Sequence, residues 1–189
     1  MDFIKKTLCS KLGMLLLVAI ILIVVLVLGL TNWTDKDRIS NDFAEQLFKY
    51  PLPPKTKVIE NEQANGKHLV GGSGGSGGYW GVIASVRLST RLSKEEILMY
   101  YQKAGLFKYP KSDKRGVEPE IYFQGDFQKV KSPEGDYYRD KEGAMRFLSN
   151  YYYESGKKVN DRILKENHSH EVEYVVQITS DFDYFLNID

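Results

Sequence analysis

From Gly13 to Leu30 the chain reads GMLLLVAIILIVVLVLGL, 18 residues with no charge and no proline. As a helix rising 1.5 Å per residue, this run spans about 27 Å, one hydrocarbon thickness of a bilayer. A soluble core helix or an alternating strand is interrupted by polar residues; this run is not, and it predicts a transmembrane helix. In ISNDFAEQLFKYPLPP, which follows, Ile39, Phe43, Leu47 and Tyr50 recur at helical spacing, flanked by Ala44 and Phe48. Ser40 is the candidate N-cap, and Pro51, Pro53 and Pro54 stop the pattern. The expected element is a stalk helix within residues 31–50 that docks on the domain beyond. Asp42 and Glu45 disfavour the alternative, a helix lying on an anionic lipid surface.

The period then changes. KTKVIENEQANGKHLV reads as extended chain with a turn at Asn65-Gly66. In YWGVIASVRLST, Trp80, Val82, Ala84, Val86 and Leu88 fall on one face, which predicts a strand. LSKEEILMYYQKAGL predicts a helix: Ser93 caps it, Glu96 completes a capping box, and Leu92 and Ile97 can staple its start. Gly105 supplies a left-handed residue past its end. EIYFQGDFQKV alternates again and predicts one strand. In DKEGAMRFLSNYYYESG, Ala144, Phe147, Leu148 and Tyr151 fit a second helix capped by Asp140. EVEYVVQITSDF predicts a closing strand with Val172, Tyr174, Val176 and Ile178 on one face. Short connections favour antiparallel pairing. The expected fold class is therefore α+β: an N-terminal transmembrane helix, then a small antiparallel sheet covered by two helices, within residues 51–189.

Charge fixes the orientation. Lys5, Lys6 and Lys11 against Asp2 give residues 1–30 a net +2; the chain totals +1, so residues 31–189 carry −1. The lysines precede the apolar run, whereas acids and bases mix beyond it. Residues 1–12 are thus expected as a cytoplasmic tail and the rest outside, in a single-pass arrangement at the cell membrane. The competing reading is a cleaved signal peptide, but the apolar run exceeds the usual 7–15 residues of such segments. A nearly neutral outer part has no basic footprint for nucleic acid. At 42% hydrophobic and 27% charged, the chain has material for a packed core and is not a disordered one. Cys9 is the single cysteine, so no intramolecular disulfide and no cysteine-based zinc site can form.

Between two extended stretches lies HLVGGSGGSGGYWGV. Gly72, Gly74 and Gly77 satisfy G-x-G-x-x-G, but a strand follows where phosphate binding needs a helix N-terminus. An engineered linker would join separate modules, and here strands flank the run on both sides. A hairpin loop is the expected element, and Gly71, Gly72, Gly74, Gly75, Gly77, Gly78, Tyr79 and Trp80 form a candidate contact loop.

Ionisable candidates are few. His168 and His170 share a face if that stretch is a strand, but a metal needs a third ligand and the region is polar. Asp181, Asp183 and Asp189 lack the spacing and turn glycine of a calcium loop. His68 stands alone. No catalytic residue, metal site or cofactor is expected. Thirteen tyrosines exceed what a core of this size needs, so some are candidates for a contact surface alongside core packing.

PLPPKTKVIE, GKHLVGGSGGSGGYWGVIASVRLST, LSKEEILMYYQKAGL and YVVQITSDFDYFLNID together resemble a group of uncharacterised single-pass membrane-anchored surface proteins of Firmicutes-type bacteria with a Gly-rich hairpin loop. That group tends to carry Asn between the loop glycines, where this chain has Ser. The resemblance implies no activity and carries over no catalytic residue. The function expected is a membrane-anchored extracytoplasmic domain, a non-catalytic envelope interaction or accessory protein. Its partners are the bilayer through Gly13 to Leu30 and an envelope protein or glycan. The alternatives are a small envelope enzyme and an extracytoplasmic ligand-binding sensor.

Overall fold

The computed structural model describes residues 2–70, 78–153 and 171–183. The chain divides into two compact units, Met1–Arg38 and Ile39–Asp189.

The first unit is helical. Its helix, α1 (Asp2–Phe48), continues unbroken into the second unit. No glycine or proline interrupts Thr31 to Tyr50, and α1 runs through that stretch to Phe48. Arg38 pairs with Asp35 at 2.9 Å and Lys49 with Glu45 at 2.6 Å, both along one helix face. Ser40 is consequently no N-cap; it is buried in mid-helix. From Gly13 to Val27 every residue is exposed, and the large apolar side chains are 47–67% accessible. Over the described residues, no helix is long and apolar enough to cross a membrane.

The second unit is α+β. A four-stranded antiparallel sheet has the order β1-β2-β8-β5, formed by β1 (Thr56–Gly66), β2 (Tyr79–Thr90), β5 (Glu120–Phe123) and β8 (Val172–Asp183). Helix α2 (Lys94–Gln102) follows β2. Ser93 caps it, the Glu96 side chain returns the bond to the Ser93 N–H, and Gly105 beyond its end sits at φ +70°, as the sequence predicts. Two small hairpins flank the sheet, β3 (Phe107–Tyr109) with β4 (Ser112–Val117), and β6 (Phe127–Val130) with β7 (Tyr137–Asp140).

One sheet face carries the main core. Val82, Ala84, Val86 and Leu88 of β2 and Tyr174, Val176 and Ile178 of β8 meet Phe43, Ala44 and Leu47 of α1 and Ile97, Leu98 and Tyr101 of α2. The docking expected of Ile39, Phe43, Leu47 and Tyr50 is therefore made. The Gln46 amide bonds both the N–H and the carbonyl of Lys108, at 2.8 and 3.1 Å, tying α1 to β3. Gln63 of β1 donates to Asn41 at 3.0 Å, whereas Tyr50 packs on Tyr100 and Tyr101. The chain thus enters this unit at the end of the sheet where Gln63–Gly66 lies, the end from which the Gly-rich connection departs.

Several elements differ from expectation. Asn65-Gly66 makes no turn: both residues still pair, with Val82 and Gly81. His68–Val70 is a turn of 3₁₀ helix and not extended chain. EIYFQGDFQKV is two strands, because Gly125 takes φ +98° in the turn after Phe123 and sends β6 out of the main sheet. The helix expected from Asp140 does not form. Asp140 ends β7, its carboxylate accepts the Glu142 N–H at 2.7 Å in a turn, and Gly143 follows at φ +79°. The following stretch lies along β5: Ile121 N–H donates to the Arg146 carbonyl at 2.9 Å and Leu148 N–H to that of Pro119 at 3.0 Å. Only α3 (Asn150–Tyr153) is helical there.

Candidate functional site

The richest constellation of ionisable groups lies on the sheet face opposite the main core. Arg87 of β2 stands between Glu60 of β1 and Glu173 of β8, because those three positions are cross-strand partners or near neighbours in register. Its guanidinium reaches Glu173 at 2.5 Å and Glu60 at 3.2 Å. Lys129 of β6 descends on the same group, at 2.9 Å from Glu60 and 3.5 Å from Asp136, and it also pairs with Glu62. The Tyr138 hydroxyl of β7 donates to Glu60.

These contacts set the protonation states. The Tyr138 hydroxyl, then the Lys129 ammonium and the Arg87 guanidinium, hold the Glu60 carboxyl down to about 2. Glu173 raises Arg87 above its ordinary value, and Glu62 and Glu60 raise Lys129. Burial pushes the Tyr138 phenol up, and its bond to Glu60 adds to this. A carboxylate held so low is a poor general base at neutral pH, and the phenol beside it stays a donor. The arrangement is a clamp: it fastens the β6–β7 hairpin over the second sheet face. Beneath it, Tyr122, Tyr138 and Val175 form a small second core with Phe127 against it.

Polar groups under the hairpin are also partnered. Gln177 accepts from Ser85 at 2.7 Å and from the Tyr138 N–H at 3.2 Å, and its amide nitrogen faces Glu120 at 3.4 Å. Tyr122 donates to Glu120. Burial pushes the Asp140 carboxyl up, but the Arg146 guanidinium at 2.6 Å and the Glu142 N–H more than offset this and hold it below its usual range.

The sequence-predicted contact loop is only partly within this picture. Gly71, Gly72, Gly74, Gly75 and Gly77 lie outside the described residues, as do His168, His170 and Asp189. Gly78 stands at φ +98° where β2 begins. Tyr79 pairs with Asp183 and is 44% exposed. Trp80 pairs with Phe182 and packs half-buried on the main core. His68 starts the 3₁₀ turn, and its N–H donates to Glu134 at 3.1 Å. Asp181 accepts from the Tyr109 hydroxyl at 2.7 Å, and the Asp183 backbone carbonyl from Lys111 at 3.0 Å, so this end of β8 holds the β3–β4 hairpin. Among the described residues no group of three or more His, Cys, Asp or Glu side chains could hold a metal.

Among the described residues, hollows open on the surface at both ends of β1. One, about 240 Å³, is lined by Leu69, Gly81, Ile83, Thr179 and Asp181 at the base of the Gly-rich connection. The other, about 320 Å³, lies between Lys55, Lys57, Ser89, Arg91 and Glu171 at the opposite end of β1. Among the described residues, Tyr101, Tyr122, Tyr138, Tyr151 and Tyr174 are buried, and Tyr50, Tyr100 and Tyr109 pack partly buried against the main core. Sequence reading missed the clamp, since Glu60, Arg87, Lys129, Tyr138 and Glu173 are far apart in the chain and only the strand register brings them together. Comparison of the chain with protein-family models, curated proteins and solved structures returns no match.

Proposed function

We propose that the chain is a single-pass membrane protein, anchored through Gly13 to Leu30 with its N-terminus in the cytoplasm, that displays the α+β unit outside as a non-catalytic interaction or accessory domain. The observation that carries this reading is the exposed apolar face of α1. Fifteen successive residues, Gly13 to Val27, are exposed, and none is polar or charged. A contiguous apolar surface of that kind is not left to water; it marks a lipid or protein contact. Lys5, Lys6 and Lys11 on one side supply the cytoplasmic bias. The non-catalytic part rests on the clamp, whose carboxylates and cations are engaged with each other.

The partner is an envelope protein or glycan, and the surface offered to it includes Tyr79 and the Gly-rich connection. Affinity purification of the tagged full chain from detergent-solubilised membranes tests this. The expected result is a stoichiometric companion or a retained envelope glycan. A bare monomer would contradict it.

A further inference from the structure

The four-stranded sheet has two long edges, and they are treated differently. The outer edge of β5 is covered, because Arg146 and Leu148 bond to Ile121 and Pro119 across it. The far end of β1 is covered as well: the Asn65 N–H donates to the Glu134 carbonyl at 3.0 Å. From Thr56 to Gln63, no described residue makes a backbone bond to the outer side of β1. Such an edge is a template for a further strand. Its apolar residues face out: Val58 is 47% and Ile59 43% exposed.

The charges on this stretch are self-complementary. Lys57, Glu60 and Glu62 pair with Ser89, Arg87 and Ser85, so all three stand on one face of the sheet. A two-fold axis near Ile59 sets two copies of the strand antiparallel. Lys57 of each copy then lies toward Glu60 and Glu62 of the other, and Val58 and Ile59 meet at the centre. The register shift between Val58 and Glu60 makes Ile59 an extra, outward residue. A bulge there limits addition to one short, closed pairing and blocks open-ended growth.

We propose that the Thr56–Gln63 edge of β1 is a homodimer interface, and that its occupant is the same edge of a second copy of this chain. This goes beyond the anchored-domain reading and stands whether or not Gly13–Leu30 lies in a bilayer.

The test is light scattering on the full chain in detergent, with the detergent mass subtracted. The expected mass is twice the 21.7 kDa of one chain. Lys57→Glu places like charges opposite each other, and Val58→Lys puts a charge at the centre. Each is expected to weaken association at least tenfold while the circular dichroism spectrum stays unchanged. In a Cys9→Ser background, Val58→Cys is expected to give a disulfide-linked dimer on mild oxidation, and Met145→Cys is not. A chain monomeric at all concentrations overturns the proposal. So does a dimer that both edge substitutions leave intact, or a complex in which a different polypeptide, or residues 154–170 of the same chain, occupies the edge.

Discussion

At the scale of single residues, the clamp on the second sheet face makes the firmest claims. Glu60 accepts from three side chains at once, which is why its carboxyl falls to about 2 from an ordinary value of 4.5. A depressed folded-state value means the unfolded chain binds the proton more readily. The stabilisation is thus fully present above about 4.5 and is lost as pH falls toward 2. Glu60→Gln should therefore flatten the loss of stability between those values, measured by urea unfolding at pH 7 and pH 3. Tyr138→Phe removes the hydroxyl and should cost about 0.5–1.5 kcal/mol at neutral pH in the same measurement. Ser93 was legible as a cap from sequence alone, because the whole box lies within four residues. Ser93→Ala should cost about 1 kcal/mol by thermal or chemical unfolding. The clamp was not legible, because its members come from five strands, β1, β2, β6, β7 and β8, and the register that joins them is a tertiary fact.

At the scale of elements, local signals succeeded where they were complete and failed where a turn overrode periodicity. The faces of β2 and β8 and the docking face of α1 followed from spacing. Burial of the other face of β2, including Ile83 and Ser85, did not, because β6 was read as a continuation of the β5 strand and β7 was not read as a strand. That error turns on Gly125, whose φ of +98° lets the chain leave the sheet after Phe123. Gly125→Val should destabilise by about 1–2 kcal/mol and loosen the hairpin, seen as faster amide exchange at Lys129 and Tyr138. The expected helix after Asp140 failed similarly. Phe147 and Leu148 are spaced for a helix, but their segment instead closes the edge of β5, and Phe147 bridges to Glu120. For α1, Phe43 is 1% exposed at the centre of its docking face. Phe43→Ala should cost about 3–5 kcal/mol and unfold the unit at lower denaturant. The apolar segment before it should be unaffected.

At the scale of the whole molecule, the described residues hold an α+β unit whose core, built from Phe43, Ala44 and Leu47 onward, includes no residue of Gly13–Leu30. Among the described residues, Glu60, Glu62, Arg87, Lys129, Asp136 and Glu173 hold a hairpin to the sheet. Open features among the described residues include the outer edge of β1 and the hollows at its two ends. The reading of GGSGGSGG as a connection within one domain agrees with the pairing of β1 and β2 on either side of it, from Thr56–Thr90 to Gly66–Gly81. We propose that Gly13–Leu30 crosses the membrane with the α+β unit outside. Labelling of intact cells with a membrane-impermeant maleimide tests it most directly. Cys9, the only cysteine of the chain, precedes the apolar run, and Met145 is 63% exposed on the outer unit. The account predicts that Met145→Cys in a Cys9→Ser background is labelled in intact cells, and that Cys9 of the unaltered chain is labelled only after permeabilisation. Labelling of Cys9 in intact cells, or protection of Met145→Cys until the membrane is opened, would contradict it.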